Sequence, residues 1–247
     1  MTTGDVVRVL HPAGASGVVL VCEHASYHMP SALQALGLPE DMRRGHAAWD
    51  PGALGVAEGL SERLDAPLVA STVSRLIYDC NRPPEAPSAI LERSEGREIP
   101  GNIGLDYRTR ADRVARYYLP FEARVRAAMD AVQAQVLVTV HSFTPVFMGK
   151  RRAVEVGVLH DKDTRLADAM LARAARHTPL RVQRNAPYGP HDGVMHTLRM
   201  HGLTRGIPNV MIEVRNDLIA TSEAQAEMAQ MLAGWIRESI GALEVAA

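Results

Sequence analysis

Three apolar runs of this chain lead directly into residues that can do chemistry. Residues 136–140 end in His141, residues 17–22 end in Glu23 and His24, and residues 208–212 end in Glu213. A short apolar run bounded by turn signals predicts a strand that is buried on both faces. Because open α/β sheets bind ligands beyond the carboxyl ends of their strands, we expect these side chains to face one crevice.

Two histidines and an acid from separate elements are sufficient for a catalytic zinc site, which uses three protein ligands and leaves a fourth position for water. His24 and His141 are the candidate imidazoles, and the acids at strand and helix edges are Glu23, Asp50 and Glu213. Zinc lowers the pKa of its bound water to about 7, and a further carboxylate would move the proton to the leaving group. Glu213 is the candidate for that carboxylate, because its apolar neighbours favour a raised pKa.

Each candidate also has a structural interpretation. Asp50 precedes Pro51, which is typical of a helix start with Asp at the N-cap and Pro at the first helical position. A histidine at a strand end can simply bond to backbone, Glu23 can pair with an arginine, and Arg215 can pair with Asp217. The spacing of the metal candidates is long-range, since neither an HExxH nor a CxxC motif occurs.

Nucleophilic catalysis is the alternative chemistry. Ser26 and Ser142 lie close to histidines, but neither is part of a G-x-S-x-G elbow. Cys22 and Cys80 lie within apparent strands, where thiols are usually inert. No G-x-G-x-x-G or Walker loop occurs, so a nucleotide cofactor is not expected. The remaining candidate histidines are expected on the surface or in loops: His46, His160, His191, His196 and His201.

Composition excludes several classes of protein. The 247 residues are 47% hydrophobic with a formal charge of −1, so the chain can build a large core but has no basic field for nucleic acid. No run approaches the roughly 18 apolar residues of a membrane span, and residues 1–5 lack the regions of a signal peptide. The two cysteines are expected to be reduced, and a cytoplasmic protein is predicted.

Strands and helices alternate along the chain, which predicts an α/β fold, a three-layer α/β/α sandwich around a mainly parallel or mixed sheet. No repeat or composition break marks a second domain, so residues 1–247 are predicted to form a single domain. Besides the three runs above, strands are predicted at 67–72, 75–80, 153–160 and 180–183. Helices are predicted at 51–64, at 111–135 with a kink near Pro120, at 164–176, at 194–201 and from 222 onwards.

Six segments stand in a fixed order along nearly the whole chain. They are Val21–Ser26, His46–Ala53, Ser74–Pro83, His141–Pro145, Asn185–Tyr188 and Ile212–Ile219. Together they resemble the motifs of the N-formylglutamate amidohydrolase family. The resemblance implies a zinc-dependent amidohydrolase that is related in fold to zinc carboxypeptidases and zinc-dependent cell-wall amidases.

The resemblance also assigns roles to residues. By position, it implies that the metal ligands are His24, Asp50 and His141 and that the general base is Glu213. The amidases usually carry Glu where this chain has Asp50, so Glu23 remains the rival third ligand.

A second group of residues is expected to bind the substrate. Asn81 and Arg82 resemble the carboxylate-binding Asn-Arg pair of carboxypeptidases, and a guanidinium matches a carboxylate bidentately. Arg215 is a further candidate for binding a substrate carboxylate.

The expected function is zinc-dependent hydrolysis of the amide of an N-acylated amino acid. The resemblance points to N-formyl-L-glutamate, which would give formate and L-glutamate. Two alternatives stay open: a metallo-amidase or peptidase that acts on a larger amide, and a non-enzymatic protein that binds a small molecule. In each case the expected partner is a small molecule.

Overall fold

A mixed sheet of seven strands forms the centre of the protein, and two short hairpins lie outside it. The computed structural model describes residues 6–246, so the prediction about a signal peptide at residues 1–5 lies outside the described part. The strands are β1 (Val7–Leu10), β2 (Val18–Cys22), β3 (Leu68–Ser71), β4 (Arg93–Ser94), β5 (Arg97–Glu98), β6 (Val136–Phe143), β7 (Val146–Phe147), β8 (Lys150–Arg151), β9 (Val156–Leu159), β10 (Val182–Arg184) and β11 (Asn209–Arg215).

The strand order of the sheet is β1-β3-β2-β6-β11-β9-β10. The four central strands β3, β2, β6 and β11 are parallel, while β1 and β9 pair antiparallel with β3 and β11. The carboxyl ends of β2, β6 and β11 therefore lie at one edge of the sheet. In the register of β6 and β11, His141 stands beside Glu213.

Helices cover both faces of this sheet, which confirms the predicted three-layer sandwich. Successive residues of β2 explain its continuous apolar sequence, because Leu20 packs into one core and Val21 packs into the other. Helices α2, α5 and α6 cover the first face, and α4 covers the second. The helices are α1 (Glu40–Arg44), α2 (Ala53–Leu64), α3 (Tyr107–Arg113), α4 (Leu119–Ala131), α5 (Arg165–His177) and α6 (Ser222–Ala246).

Most predicted elements are present, with shifted ends. The predicted helix over 111–135 begins earlier, at Tyr107, and contains a π-helical segment, Val114–Tyr118, immediately before the turn that holds Pro120. Proline lacks an N–H, so a shift in the helical hydrogen-bond pattern at this point has a physical cause. In the described part of the chain, no helix is both long and apolar enough to cross a membrane. The single domain over residues 1–247 stays a prediction.

The predicted strand at 75–80 is wrong, because this segment forms a series of tight turns. Leu76, Ile77 and Tyr78 are buried, which explains their apolar character. Side chains provide the hydrogen bonds that these backbone carbonyl groups would receive from a neighbouring strand in a sheet. Asn102 Nδ2 donates to Leu76 O at 2.8 Å, and Arg113 Nη1 donates to Ile77 O at 3.0 Å. An apolar run shows burial but does not distinguish a strand from a buried turn.

Candidate active site

A cavity of about 370 Å³ opens at the edge of the sheet where β2, β6 and β11 end. Six of the eight site residues named from the sequence line it: His24, Asp50, Asn81, Arg82, His141 and Glu213. Glu23 lies behind the cavity wall, and Arg215 lies outside the cavity. Residues that are 189 positions apart in the sequence thus meet because the parallel strands bring their ends to one edge.

Three of these side chains converge on one point. Asp50 Oδ2 lies 3.2 Å from His24 Nδ1 and 2.9 Å from His141 Nδ1. The two Nδ1 atoms lie 3.2 Å from each other. All three side chains are buried, so water screens their interactions weakly.

A carboxylate stands behind each histidine. His24 Nε2 donates a hydrogen bond to Asp79 Oδ1 at 2.7 Å. His141 Nε2 lies 3.1 Å from Glu23 Oε2, a close contact that is off hydrogen-bond alignment. Carboxylates behind the outer nitrogens are the arrangement that fixes the orientation of metal-binding histidines. Each imidazole therefore directs Nδ1 inward.

These residues fit a divalent metal ion. With the proton of His24 on Nε2, its Nδ1 is an acceptor that faces the carboxylate of Asp50 and the Nδ1 of His141. Acceptors at such separations repel one another unless a proton or a cation lies between them. The candidate ligand atoms all lie within 4.8 Å of one another, and two imidazoles with one carboxylate suit zinc and related metals.

The electrostatics of this cluster favour positive charge. Burial opposes a charged imidazole, yet Glu23 and Asp50 hold the pKa of His141 well above its usual range. His24 shows the same direction: burial and Arg75 oppose its charged form, but Asp79 and Asp50 raise its pKa. Each imidazole thus has two carboxylates nearby. These carboxylates stabilise positive charge at the centre of the cluster, and either protons or a metal ion can carry that charge.

The position of Asp50 depends on the backbone before helix α2. The helix begins at Ala53, and the Asp50 side chain caps no helix end, so the interpretation as an N-cap is wrong. The Asp50 N–H instead donates to His24 O at 2.9 Å, which holds the acid beside the end of β2. Gly52 makes the turn with a φ of +81°, and a Cβ there would lie 2.4 Å from Ile219 O. Only glycine fits this turn without a shift of the backbone.

Glu213 is the fourth group at this point. It lies beside His141 in the sheet, it is buried, and its Oε2 has no partner in the described part of the chain. Burial raises the pKa of Glu213 to about 7, and the nearby Asp50 charge acts in the same direction. A carboxylate with this pKa exchanges a proton readily near neutral pH.

Asn81 and Arg82 lie side by side but have different partners. The Asn81 side chain donates to Val194 O at 2.7 Å and accepts from Thr197 N at 3.0 Å, so both ends of its amide hold the loop and helical turn around 194–197. Arg82 Nη1 donates to Asp192 O at 3.1 Å. Its Nη2 donates to no protein atom in the described part of the chain, which leaves it free for a ligand in the cavity.

The structure places Arg215 away from the site. Its Nε donates to Asp217 Oδ1 at 2.7 Å, as the alternative interpretation of the sequence expected, and its Nη2 donates to Glu155 Oε1 at 3.2 Å. It lines a separate groove with Glu155 and Arg181. Arg215 and Glu213 are two residues apart in β11, so the strand geometry points both side chains to the same face of the sheet. The bonds to Asp217 and Glu155 therefore hold Arg215 outside the cavity.

Sequence reasoning missed two residues of the site, Asp79 and Arg75. Arg75 Nη2 donates to Asp79 Oδ2 at 2.6 Å, and its Nη1 lies 3.6 Å from Asp50 Oδ1. One guanidinium thus contacts a candidate ligand and the carboxylate that orients His24. The run at 75–80 was interpreted as a strand, and within a strand these two side chains would not converge on the histidines.

The structure does not support a nucleophilic site. Ser142 Oγ donates to Pro51 O at 2.8 Å and Ser26 Oγ accepts from His28 N at 3.0 Å, so neither hydroxyl bonds to a histidine ring. Burial raises the pKa of the thiols of Cys22 and Cys80 well above their usual range, which makes them poor nucleophiles.

The other histidines agree only in part with the expectation of surface or loop positions. His46 lies in a turn with a partly exposed side chain, as expected, and it also lines the cavity and pairs with Glu95 at 2.6 Å. His160 lies in the loop after β9 but is buried, whereas His196 and His201 lie in helical turns and His201 is buried. His191 is exposed, as expected.

Solved structures resemble this chain over nearly its whole length. A gene product of Agrobacterium tumefaciens shares 50% sequence identity, with a TM-score of 0.93 over 98% of this chain and 97% of that chain. An N-formylglutamate amidohydrolase from Ralstonia eutropha JMP134 has the same fold at 19% identity, with a TM-score of 0.71 over 95% of this chain and 99% of that chain. A metallo-carboxypeptidase from Burkholderia cenocepacia matches at 12% identity over 92% of this chain and 57% of that chain, with a TM-score of 0.44. A search of curated proteins gave no match.

The sequence itself matches a family model. The model of N-formylglutamate amidohydrolase covers residues 16–220, which include every site residue discussed above. This match confirms the resemblance that the six segments indicated. The chain belongs to the N-formylglutamate amidohydrolase family.

Proposed function

We propose that this protein is a zinc-dependent amidohydrolase that cleaves the amide bond of an N-acylated amino acid. The observation that carries the proposal is the convergence of His24, His141 and Asp50 on one point beside Glu213, in a cavity that also presents Arg82. His24, Asp50 and His141 would hold the metal, and Glu23 would orient His141 from behind. Bound there, zinc would polarise the amide carbonyl and lower the pKa of a water molecule.

Glu213 is the proposed general base. Its unpartnered Oε2 would accept a proton from the attacking water as the water oxygen bonds to the carbonyl carbon. The same carboxyl group would then give this proton to the amide nitrogen as the carbon–nitrogen bond breaks. Its pKa of about 7, raised by burial, suits both transfers at neutral pH.

Arg82 is the proposed anchor for the substrate carboxylate, because its Nη2 is free toward the cavity. Asn81 would act as a positioning residue, since both ends of its amide already bind backbone. Arg215 is not part of this proposal, because Asp217 and Glu155 engage its guanidinium outside the cavity.

N-formyl-L-glutamate, giving formate and L-glutamate, is the proposed reference substrate. The family model and the name of the Ralstonia eutropha protein support it. A cavity of about 370 Å³ lies within the range of small-molecule sites, roughly 300–1,000 Å³.

The test combines elemental analysis of the purified protein with a hydrolysis screen over N-formyl and N-acetyl amino acids. We expect about one zinc per chain and release of the free amino acid. Glu213→Gln should keep the metal and lose roughly 10²–10⁴-fold in kcat, whereas the exposed Glu227→Gln should change neither. A protein without stoichiometric metal that stays inactive after zinc addition would instead be a small-molecule binding protein. Activity on peptides alone would indicate a larger substrate.

A further inference from the structure

The cavity has a second wall that the proposed chemistry does not use. Three aromatic rings line it, those of Phe143, Phe147 and Tyr188. Phe143 ends β6, Phe147 lies in the hairpin formed by β7 and β8, and Tyr188 lies in the loop after β10. The whole chain has three phenylalanines, so two of them lie at this cavity. We call these three residues the aromatic wall.

Arg152 holds the aromatic wall together from behind. Its Cζ lies 4.7 Å from the ring centroid of Phe147, 5.0 Å from that of Tyr188 and 5.5 Å from that of Phe143. Its Nη2 also donates to the Tyr188 hydroxyl at 3.1 Å, and its Nη1 donates to Thr144 O at 3.3 Å. Cations near aromatic faces are attracted to the rings, so one side chain fixes all three. Arg152 lines the neighbouring groove and not this cavity, so the wall presents apolar ring surface.

Part of this apolar surface is exposed at the rim of the cavity. Phe147, which lines the cavity, is 36% exposed. An aromatic side chain left partly in water beside two further rings of a cavity is typical of a surface that a ligand covers.

The cationic side chains that line the cavity indicate which charged group the ligand carries. In the described part of the chain, the cationic candidates outside the metal cluster that line the cavity are His46, Arg75 and Arg82. Arg75 is paired with Asp79 and Asp50, and His46 is paired with Glu95. Arg82 Nη1 donates to Asp192 O and its Nε lies 4.0 Å from Asp79 Oδ2. Its Nη2 donates to no protein atom in the described part of the chain, so the cavity offers one free guanidinium nitrogen for a carboxylate.

We propose that the aromatic wall is a subsite for an apolar group, so that the preferred substrate carries one bound carboxylate and one apolar group of several carbons. This inference rests on the proposed amide hydrolysis and names its substrate class. The apolar group belongs either to the side chain of the amino acid or to the acyl group. Both sources have the same chemistry, and the substrates below distinguish them.

The test compares kcat/KM of the zinc-loaded full chain for three substrates. N-formyl-L-phenylalanine places the apolar group on the amino acid, N-hexanoyl-L-glutamate places it on the acyl group, and N-formyl-L-glutamate has none. We expect one of the first two to exceed N-formyl-L-glutamate by about 10-fold or more, the scale of an apolar pocket contact. A preference for N-formyl-L-glutamate over both would overturn the proposal.

Substitutions in the hairpin formed by β7 and β8 test whether Phe147 causes the preference for an apolar substrate. Phe147→Ala should lower the ratio of kcat/KM between the preferred apolar substrate and N-formyl-L-glutamate about 10-fold, and Phe147→Leu should restore most of it. Met148→Ala is the matched control, because Met148 is exposed on the same hairpin and does not line the cavity. An unchanged ratio in Phe147→Ala would contradict the assignment.

A binding measurement separates failure of this inference from failure of the proposed function. Calorimetry on the zinc-loaded Glu213→Gln variant gives the Kd of each of the three ligands without turnover. If no substrate is hydrolysed, the proposed function fails, and tighter binding of an apolar ligand than of N-formyl-L-glutamate still supports the subsite. Equal or weaker binding of both apolar ligands would overturn the subsite whatever the activity.

Discussion

The two walls of the cavity are built in different ways. The metal wall consists of His24, His141, Asp50 and Glu213, which are buried side chains at or beside the ends of central parallel strands. The aromatic wall combines the buried Phe143 at the end of β6 with Phe147 on a hairpin and Tyr188 in a loop, and Phe147 is 36% exposed. Strand ends fix side chains through the backbone hydrogen bonds of a whole sheet, whereas loops change with little cost to the core.

We expect this difference to separate the proposed reaction from its substrate specificity. Changes in the metal wall break buried ion pairs, so we expect them to affect the proposed metal binding and turnover together with folding. We expect changes at Phe147 and Tyr188 to affect mainly which ligands bind, because these two rings stand on a hairpin and a loop and contact Arg152. The following experiments test whether substitutions in the metal wall change metal content and turnover while substitutions on the substrate side of the cavity change only substrate binding.

The largest effect is expected in the metal wall. His141→Ala removes a proposed ligand, the cationic partner of the buried Glu23 and one of the partners of the buried Asp50. We expect loss of stoichiometric zinc, loss of measurable hydrolysis and a loss of about 3–5 kcal/mol in the free energy of unfolding. Elemental analysis and urea unfolding measure these, with the exposed His191→Ala as control. Retention of zinc with unchanged affinity would show that His141 is not a ligand.

The carboxylates behind the histidines should have the next largest effect. Asp79→Asn weakens the hydrogen bond that orients His24 and the ion pair with Arg75. We expect zinc affinity to fall about 10–100-fold, the usual cost of losing such an outer partner. Competition with a chelator measures the affinity, and the exposed Asp112→Asn serves as control. If zinc affinity is unchanged while activity falls, Asp79 acts on the substrate and not on the metal.

Arg82→Ala tests the substrate side of the cavity without touching the metal wall. Loss of a charged hydrogen bond to the carboxylate should raise KM about 10–100-fold, with a smaller change in kcat and with unchanged zinc content. Arg215→Ala is the matched comparison, because its guanidinium is engaged outside the cavity and KM should stay the same. A rise in KM for Arg215→Ala alone would mean that the sequence-based assignment of Arg215 to the substrate was right.

The smallest effect concerns a buried histidine that belongs to neither wall. Unlike His24 and His141, His201 has no hydrogen-bonded carboxylate in the described part of the chain, and burial lowers its pKa to about 4. Its folded pKa lies below the unfolded value near 6.5, so the unfolded state binds more protons between these values. The contribution of neutral His201 to stability is therefore present above about pH 6.5 and is lost as the pH falls toward 4.

The measurement compares the wild-type protein with His201→Phe. Between pH 7 and pH 5, the free energy of unfolding of the wild type should fall by about 2 kcal/mol more than that of His201→Phe. Urea unfolding at the two pH values gives this difference directly. Parallel pH profiles for the two proteins would show that His201 remains solvated.

The sequence was sufficient to locate the residues that end strands. His24, His141 and Glu213 follow apolar runs, and the topology of a parallel sheet brings such ends together. The local sequence around Asp50 was misleading, because Asp before Pro is typical of a helix cap. A long-range backbone bond to His24 O decides its position instead, and no local pattern encodes that bond.

The two site residues that the sequence did not reveal, Asp79 and Arg75, lie in a segment whose backbone is hydrogen-bonded by side chains and not by a neighbouring strand. Asp79 and Arg75 reach the histidines because residues 75–80 form turns that Asn102 and Arg113 hold in place. Those two partners lie 20 or more residues further along, so their contribution is a property of the folded chain. The scarcity of phenylalanine was a usable signal for the aromatic wall, since two of the three in the chain, Phe143 and Phe147, lie within six residues after His141.

The turn at Gly52 ties together parts of the protein that are far apart in the chain. The acid at position 50 takes its place only while residue 52 fits against Ile219 O, six residues after Glu213. The amino-terminal and carboxyl-terminal parts of the candidate site therefore depend on the same contact. A fragment that ended before this isoleucine would still contain both histidines and the acid, yet it would lack the surface that sets their spacing.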